Sequence, residues 1–499
     1  MFSEDAYYTE FKRVRNRFRR FYYPALIREI ILYTNSPSKD TLESIMRHPW
    51  LGMLLIKWIT LDDHFPNRGA AIPKQSDAIE LLNRMLAMES VVRMPSDYPH
   101  YTIFLRNIAY QQFPYQLGFS SASFVRQYLL FTDLPDSHRL RASFNKLNGV
   151  DIKPFLDLCL GVLPRFFDGQ AQTLPNGWLS PFVRNYGINA VTLFLDRMST
   201  DLGHLRQRLM EDDDGQRRER ERYEHSVLFE TPLLRTEEGF LIIHKAMLFR
   251  RIEHLVYDML KADNASRFMD SFGPIFERYV ERIIEYSGSN YQTEKTIKQL
   301  LGTDGNQIDF VIQEQKANIF VDAKAVDMTP KGMSAHRSEI ILHRTKISAL
   351  KAITQSYAVA AKIEANPTEQ LQLAENNYLL VVTYKALHLG NGNTYYEVIA
   401  KEKIDELIAQ YEGHELVPSS NIYFVTIEEF EIAAEMVRNR GFSFSQIIET
   451  AKAKDVDPQS RKFDFIQHLD SMADDLSGPD FLMSALNSVF RRLEVTLTT

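Results

Sequence analysis

Two β-rich runs set close together constrain the fold of this chain more than any other feature. Gln307-Ile-Asp-Phe-Val-Ile-Gln313 and Ile319-Phe-Val-Asp-Ala-Lys324 are separated only by the polar stretch Glu314-Gln-Lys-Ala-Asn318, which is the pattern of a β-hairpin. Ile319, Phe320, Val321 and Val326 predict a strand covered on both faces, where unpaired charge is costly. The runs nevertheless carry Asp309, Asp322 and Lys324. Side chains alternate along a strand, so Asp322 and Lys324, two apart, project from one face. An isolated Asp-x-Lys reads as a solvated strand face. Inside apolar runs, with Asp309 interrupting Ile308, Phe310, Val311 and Ile312, the same residues read as a site.

The residue types suit metal-assisted phosphodiester hydrolysis. Mg²⁺ prefers oxygen ligands and often takes only one or two carboxylates, with phosphate and water completing its shell. Asp309 and Asp322 are the expected metal ligands, and Mn²⁺ is expected to substitute. Glu277, on a preceding helix, is a further ligand, held directly or through water. Glu281 and Glu285 lie one and two turns along the same helix, with Glu281 the candidate substitute. A bound metal polarises the phosphate and acidifies a water; Lys324 would orient that water and stabilise charge growing on the phosphate oxygens. Farther on, Arg344, Ser348, Lys351, Gln355 and Lys362 form a polar stripe opposite Ile347, Leu350, Ile353 and Ala361. The stripe is either a solvated helix face or a phosphate-contacting one, which would position substrate without reading its sequence. Gln355, Arg344 and Lys351 are its candidate substrate-binding residues, Gln355 first.

Glu277 in a helix, then Asp309, then Asp322-Ala-Lys324 resembles the PD-(D/E)xK nuclease superfamily, the restriction-endonuclease-like fold. The surrounding order is similar: a helix over Phe276–Ile284 started by Gly273-Pro274, the hairpin, a long helix from about Leu342 to Glu364, then apolar strands at Tyr378–Thr383 and Asn421–Ile427. The resemblance implies an α/β nuclease core, a mixed central sheet flanked by helices, over residues 272–430. It also implies catalytic roles for Glu277, Asp309, Asp322 and Lys324, magnesium as cofactor, and hydrolysis of DNA rather than RNA. Bacterial restriction and antiviral phage-defence nucleases are the analogous setting. Two positions depart from the pattern. Ile308 stands where the proline that names the motif would be, and Val359 stands four after Gln355, where exonuclease-like branches show Gln-x-x-x-Tyr.

At 499 residues and 44% hydrophobic content the chain can bury a substantial core and is expected to form two or three domains. The expected division is a mainly helical, all-α accessory or recognition domain over 1–225, a nuclease domain over 226–430, and a small helical C-terminal region over 431–499. A formal charge of −7 excludes a wholly basic nucleic-acid protein, so DNA contacts must use local patches. The single cysteine, Cys159, excludes intrachain disulfides and multi-cysteine zinc sites. With no secretory signal after Met1-Phe-Ser-Glu-Asp and no apolar run of membrane-spanning length, the protein is expected to be soluble and cytoplasmic, without membrane contact.

Between Tyr7 and Tyr33, Lys12, Arg13, Arg15, Arg17, Arg19 and Arg20 mix with Phe11, Phe18, Phe21, Tyr22 and Tyr23. Such a stretch can grip nucleic acid through phosphates and stacked bases, or pack its aromatics into the domain, which is the favoured reading. Further helices are expected at Thr41–Thr60, Ser76–Met88, Ala122–Phe131, Val191–Glu211, Lys245–Lys261, Phe465–Leu476 and Phe481–Leu493. The charged run from Glu211 to Arg222 reads as a solvated helix or linker, followed by a hairpin of Ser226–Phe229 with Phe240–Ile243. Gly390–Thr394 reads as a hairpin turn. No phosphate-binding loop of the G-x-x-x-x-G-K-[ST] type occurs, nor H-E-x-x-H or G-x-S-x-G. Two function classes remain: a metal-dependent nuclease, and a catalytically inactive nuclease-fold subunit that binds DNA or scaffolds a complex. A homodimer, or a partner protein docked on the N-terminal helices, is the expected protein-level association. The choice of DNA or RNA, of endo- or exonuclease action, and of cleavage specificity is not written in the sequence.

Overall fold

The computed structural model describes residues 3–67, 69–211, 213–302, 307–457 and 459–498. The chain is a mixed α/β protein with a large helical portion. It divides into two compact units: Met1–Asp263 with Leu486–Thr499, and Asn264–Ala485. These divisions do not coincide with residues 225 and 430.

In the first unit, helices Glu4–Phe18 and Tyr23–Thr34 bury Tyr7, Phe11, Val14, Phe18, Leu26, Ile27, Ile30 and Ile31. Of the aromatics interleaved with the basic residues, Phe11, Phe18, Phe21 and Tyr23 are therefore core, whereas Tyr22 is exposed. Two of the arginines are also committed inside the protein: Arg17 contacts Asp77 at 3.0 Å and Glu80 at 2.6 Å, and Arg19 contacts Asp62 at 2.7 Å.

This unit is not all-α. Strands β1 (Thr173–Pro175), β2 (Ser199–Thr200), β3 (Leu233–Thr236) and β4 (Gly239–Ile242) form one sheet in the order β1-β4-β3-β2. The sheet forms because Leu174, Leu233, Leu234, Leu241 and Ile242 are buried in it. Gly239 has φ +143°, and a Cβ there would stand 2.3 Å from the Leu174 carbonyl oxygen, so the β1–β4 approach needs glycine. The expected hairpin is displaced accordingly: β3 is its first strand, while Val227–Phe229 is a 3₁₀ turn. β2 likewise splits the expected Val191–Glu211 helix into Ser180–Met198 and Leu202–Glu211.

Nor is the charged run a solvated linker. Glu219, Glu221 and Arg222 are buried, because Lys57 pairs with Glu221 at 2.8 Å and Arg222 donates to the Met85 carbonyl at 3.1 Å. Asp212 of that run lies outside the described residues. Asp157, buried, accepts from Tyr128 Oη at 2.7 Å, from Tyr186 Oη at 2.5 Å and from Arg492 Nη2 at 2.6 Å.

The second unit opens with a helix over Ala265–Ser287, capped by the Asn264 side chain. Gly273-Pro274 does not start this helix. Pro274 lies inside it, and buried Phe268 and Phe272 carry the apolar stripe upstream of the proline. Strands β5 (Tyr291–Thr293), β6 (Phe310–Glu314), β7 (Ala317–Lys324), β8 (Asn376–Thr383) and β9 (Ile422–Thr426) make a mixed sheet in sequential order. β5, β6 and β7 are antiparallel neighbours, whereas β7–β8 and β8–β9 are parallel.

The long polar-striped helix runs as Ser338–Thr345, a π-helical segment Lys346–Leu350, and Lys351–Ala365. Gly390–Thr394 is no hairpin turn: Asn391 caps a helix that begins at Gly392 and runs on as a π segment to Ala400. Helices Ile427–Arg440 and Phe444–Val456 belong to this same unit. Tyr279 Oη donates to Glu431 at 2.6 Å, Tyr378 Oη to Glu449 at 2.6 Å, and the Phe444 amide to Glu314 at 2.8 Å. Among the described residues no helix is long and apolar enough to cross a membrane.

Candidate active site

β7 is the middle strand of its sheet, and its residues Ile319, Phe320 and Val321 are fully buried. The apolar content that marks it as a strand thus places its charged C-terminal end beside the sheet's interior. Register then aligns the two aspartates. Phe310 pairs with Val321, so Asp309 stands one step further on, opposite Asp322. Asp309 itself is not in a strand; it occupies a bend immediately before β6. Its Oδ2 accepts the Ala323 amide at 2.6 Å, which replaces the ladder bond missing at that step and ties the bend to β7.

Asp322 is 0% exposed. The Lys324 ammonium lies 2.5 Å from its Oδ2, yet neither carboxylate oxygen accepts a hydrogen bond of good geometry. The contact is thus an ion pair by proximity that leaves acceptor capacity in a buried position. Buried acceptors normally find donors, and the Lys324 ammonium is the partner that Asp322 has. Lys324 Nζ also donates to Gln355 Oε1 at 3.4 Å, and Gln355 Nε2 donates to the Gln307 carbonyl at 2.7 Å. Gln355, in the Lys351–Ala365 helix, is buried.

The electrostatics connect these groups. Burial pushes the Asp309 carboxyl well above the ordinary range, and the Asp322 charge adds to it against Lys324 and the Ala323 amide. Burial raises Asp322 as well, opposed first by Lys324 and then by Lys351. Glu277, half-buried on the Ala265–Ser287 helix, is raised by burial and then by the charges of Glu294, Glu281 and Asp322. The Asp322 charge thus raises both Asp309 and Glu277, and one lysine does not neutralise the group.

Six of the seven residues picked from the sequence meet in this field: Glu277, Asp309, Asp322, Lys324, Gln355 and Lys351. Lys351 is exposed and acts on Asp322 through its charge alone. Arg344 is different. It is exposed and makes no hydrogen bond or ion pair among the described residues, so nothing ties it to the carboxylates. Glu294 was not singled out by sequence. As the first residue of the Glu294–Leu301 helix, it accepts the Gln307 amide at 3.3 Å and is the strongest charge acting on Glu277. The only sequence signal for it is Thr293-Glu294 as a helix start after a short apolar–polar run.

A hard divalent cation fits the donor set in one respect and not in another. Asp309, which accepts the Ala323 amide, and Asp322, paired with Lys324, offer opposed carboxylates, and two carboxylates suffice for Mg²⁺. Among the described residues, however, no three His, Cys, Asp or Glu side chains converge as a ready metal cage. Glu277 therefore belongs to the field around the aspartates rather than to a preformed three-carboxylate centre. No protein-family model, curated protein or solved structure matches this chain.

Proposed function

We propose that the second unit is a metal-dependent phosphodiesterase acting on nucleic acid, DNA before RNA, in the manner of the PD-(D/E)xK nucleases it resembles in sequence. The observation that carries this reading is Asp322, fully buried, opposed by Asp309 and 2.5 Å from Lys324. Asp309 and Asp322 would hold Mg²⁺ or Mn²⁺, with Glu277 adding negative charge behind them. Bound there, the ion would polarise the scissile phosphate and acidify a water. Lys324, already fixed by two acceptors, is placed to donate to a phosphate oxygen as negative charge grows on it. Lys351 lies within electrostatic reach of Asp322 and is free to swing toward a phosphate. Roles in restriction or antiviral defence, and partner binding by the first unit, remain analogies to nucleases of similar design.

The test is cleavage of linear, circular and single-stranded DNA, and of RNA, by the purified chain with Mg²⁺, with Mn²⁺ and with EDTA. Cleavage with either metal and none with EDTA is the expected result. DNA binding without cleavage under every metal condition would replace the enzyme by a catalytically inactive DNA-binding or scaffolding module.

A further inference from the structure

Resting on that reading of the site, we infer that Gln355 is a positioning residue that clamps Lys324 to the chain segment carrying Asp309, rather than a contact to substrate phosphate. Its position in the polar stripe suggested a phosphate ligand, but its surroundings do not allow one. The side chain is 91% buried, with only 9% relative exposure, and both ends of its amide are engaged. The nitrogen end donates to the Gln307 carbonyl at 2.7 Å, and the oxygen end accepts from the Lys324 ammonium at 3.4 Å. The orientation of the amide follows from chemistry. Turned over, it would set carbonyl oxygen against carbonyl oxygen and an NH₂ group against an ammonium, losing both bonds.

The clamp joins three elements. Lys324 is the last residue of β7, Gln307 lies two residues before Asp309, and Gln355 belongs to the Lys351–Ala365 helix. Asp309 has its own tie to β7 through the Ala323 amide. Together the two links hold the lysine and the aspartate from opposite ends of the same short segment. They matter because Asp309 sits outside the ladder, in a bend with no strand pairing to fix it. Lys324 has a second claim on it from Asp322 at 2.5 Å. Without the Gln355 oxygen the ammonium would settle wholly on that carboxylate and leave the position from which it can reach a phosphate.

The experiment is a double-mutant cycle on DNA cleavage, with Gln355→Met, which keeps the volume and removes both hydrogen bonds, Lys324→Met, and the pair. Gln355→Met is expected to lower kcat by about 10- to 100-fold, as loss of an outer-shell partner does, with KM for DNA unchanged. In the Lys324→Met background it should add nothing, because its effect passes through the lysine. Gln355→Glu, which keeps an acceptor for Lys324, should recover part of the loss. A raised KM at unchanged kcat would make Gln355 a substrate contact, and full additivity with Lys324→Met would make it a bystander to the lysine; either overturns the proposal.

A second measurement stands apart from cleavage, so failure of the nuclease reading and failure of this one can be told apart. Reductive methylation of Lys324, followed by mass spectrometry, should run about 5-fold slower in Gln355→Met, the equivalent of one hydrogen bond of about 1 kcal/mol, because the ammonium then rests wholly on the buried Asp322 carboxylate. Equal labelling rates in wild type and variant would overturn the clamp whether or not the protein cleaves DNA.

Discussion

Asp309 and Asp322 are carboxyls held in the fold at a cost in stability. Each is driven above the ordinary carboxyl range chiefly by burial, and each sees the other's charge or proton. A carboxyl whose folded pKa exceeds its unfolded value of about 3.9 stabilises the fold while protonated. That contribution is complete at low pH and is lost as pH rises through the folded value. Asp309→Asn should therefore stabilise the metal-free protein, and by more at pH 8 than at pH 5. The Asn oxygen can still accept the Ala323 amide, so the gain should be about 1–3 kcal/mol at the higher pH. Thermal melts in EDTA at the two pH values check this. A loss of stability that is equal at both would show that the pair is not strained by like charge. Of the residues at this scale, the aspartates and Lys324 were legible because charge inside an apolar strand is conspicuous. Gln355 was legible as a position but not as a role, since helical spacing says which face a side chain occupies and not which atoms its amide meets. Arg344 lay on the same stripe and is unconnected to the site, and Glu294 was invisible because its importance comes from Glu277, on another element.

At the scale of elements, the hairpin of β6 and β7 does the placing. Phe320 lies two residues before Asp322 on the same face, fully buried opposite Val311 and Leu379. Its ring supports the strand end from which Asp322 and Lys324 project. Phe320→Ala should cost about 3–5 kcal/mol and abolish ordered packing around the site. Chemical denaturation followed by tryptophan-independent far-ultraviolet circular dichroism would register it, and a cost under about 1 kcal/mol would remove β7 from the core of the second unit. β8 and β9 were readable as runs of four or more apolar or β-branched residues, and the hairpin as the apolar triplets Phe310–Ile312 and Ile319–Val321 around a short polar connection. Strands β1 to β4 are two to four residues long, too short to show a period. The helix carrying Glu277 begins at Ala265, not after Pro274, because Phe268 and Phe272 bury themselves upstream and a capping asparagine precedes them. The run from Glu211 to Arg222 misleads for a related reason. Glu221 is paired with Lys57 and Arg222 donates to the Met85 carbonyl, partners too far along the chain for local composition to announce.

Over the whole molecule, a net charge of −7 means that a polyanionic substrate is repelled at long range and must be gathered locally. Two of the N-terminal arginines do not serve that purpose, since Arg17 and Arg19 are paired with acids of their own unit. Arg344, Lys346 and Lys351 are exposed basic residues at and just before the start of the Lys351–Ala365 helix, which carries Gln355. Under the proposed function, chemistry and substrate capture both belong to the second unit, around one buried acid–lysine pair. The measurement that tests this most directly is single-turnover cleavage of a labelled DNA duplex in Mg²⁺, at low ionic strength, by wild type, Asp322→Asn and Lys324→Met, with DNA binding measured in parallel. Wild type should cut and both variants should lose about 10³-fold or more in rate while still binding DNA, as expected when charge stabilisation at the reacting phosphate is removed. Cleavage by both variants at the wild-type rate would contradict the account, as would a wild-type protein that binds DNA and never cuts it.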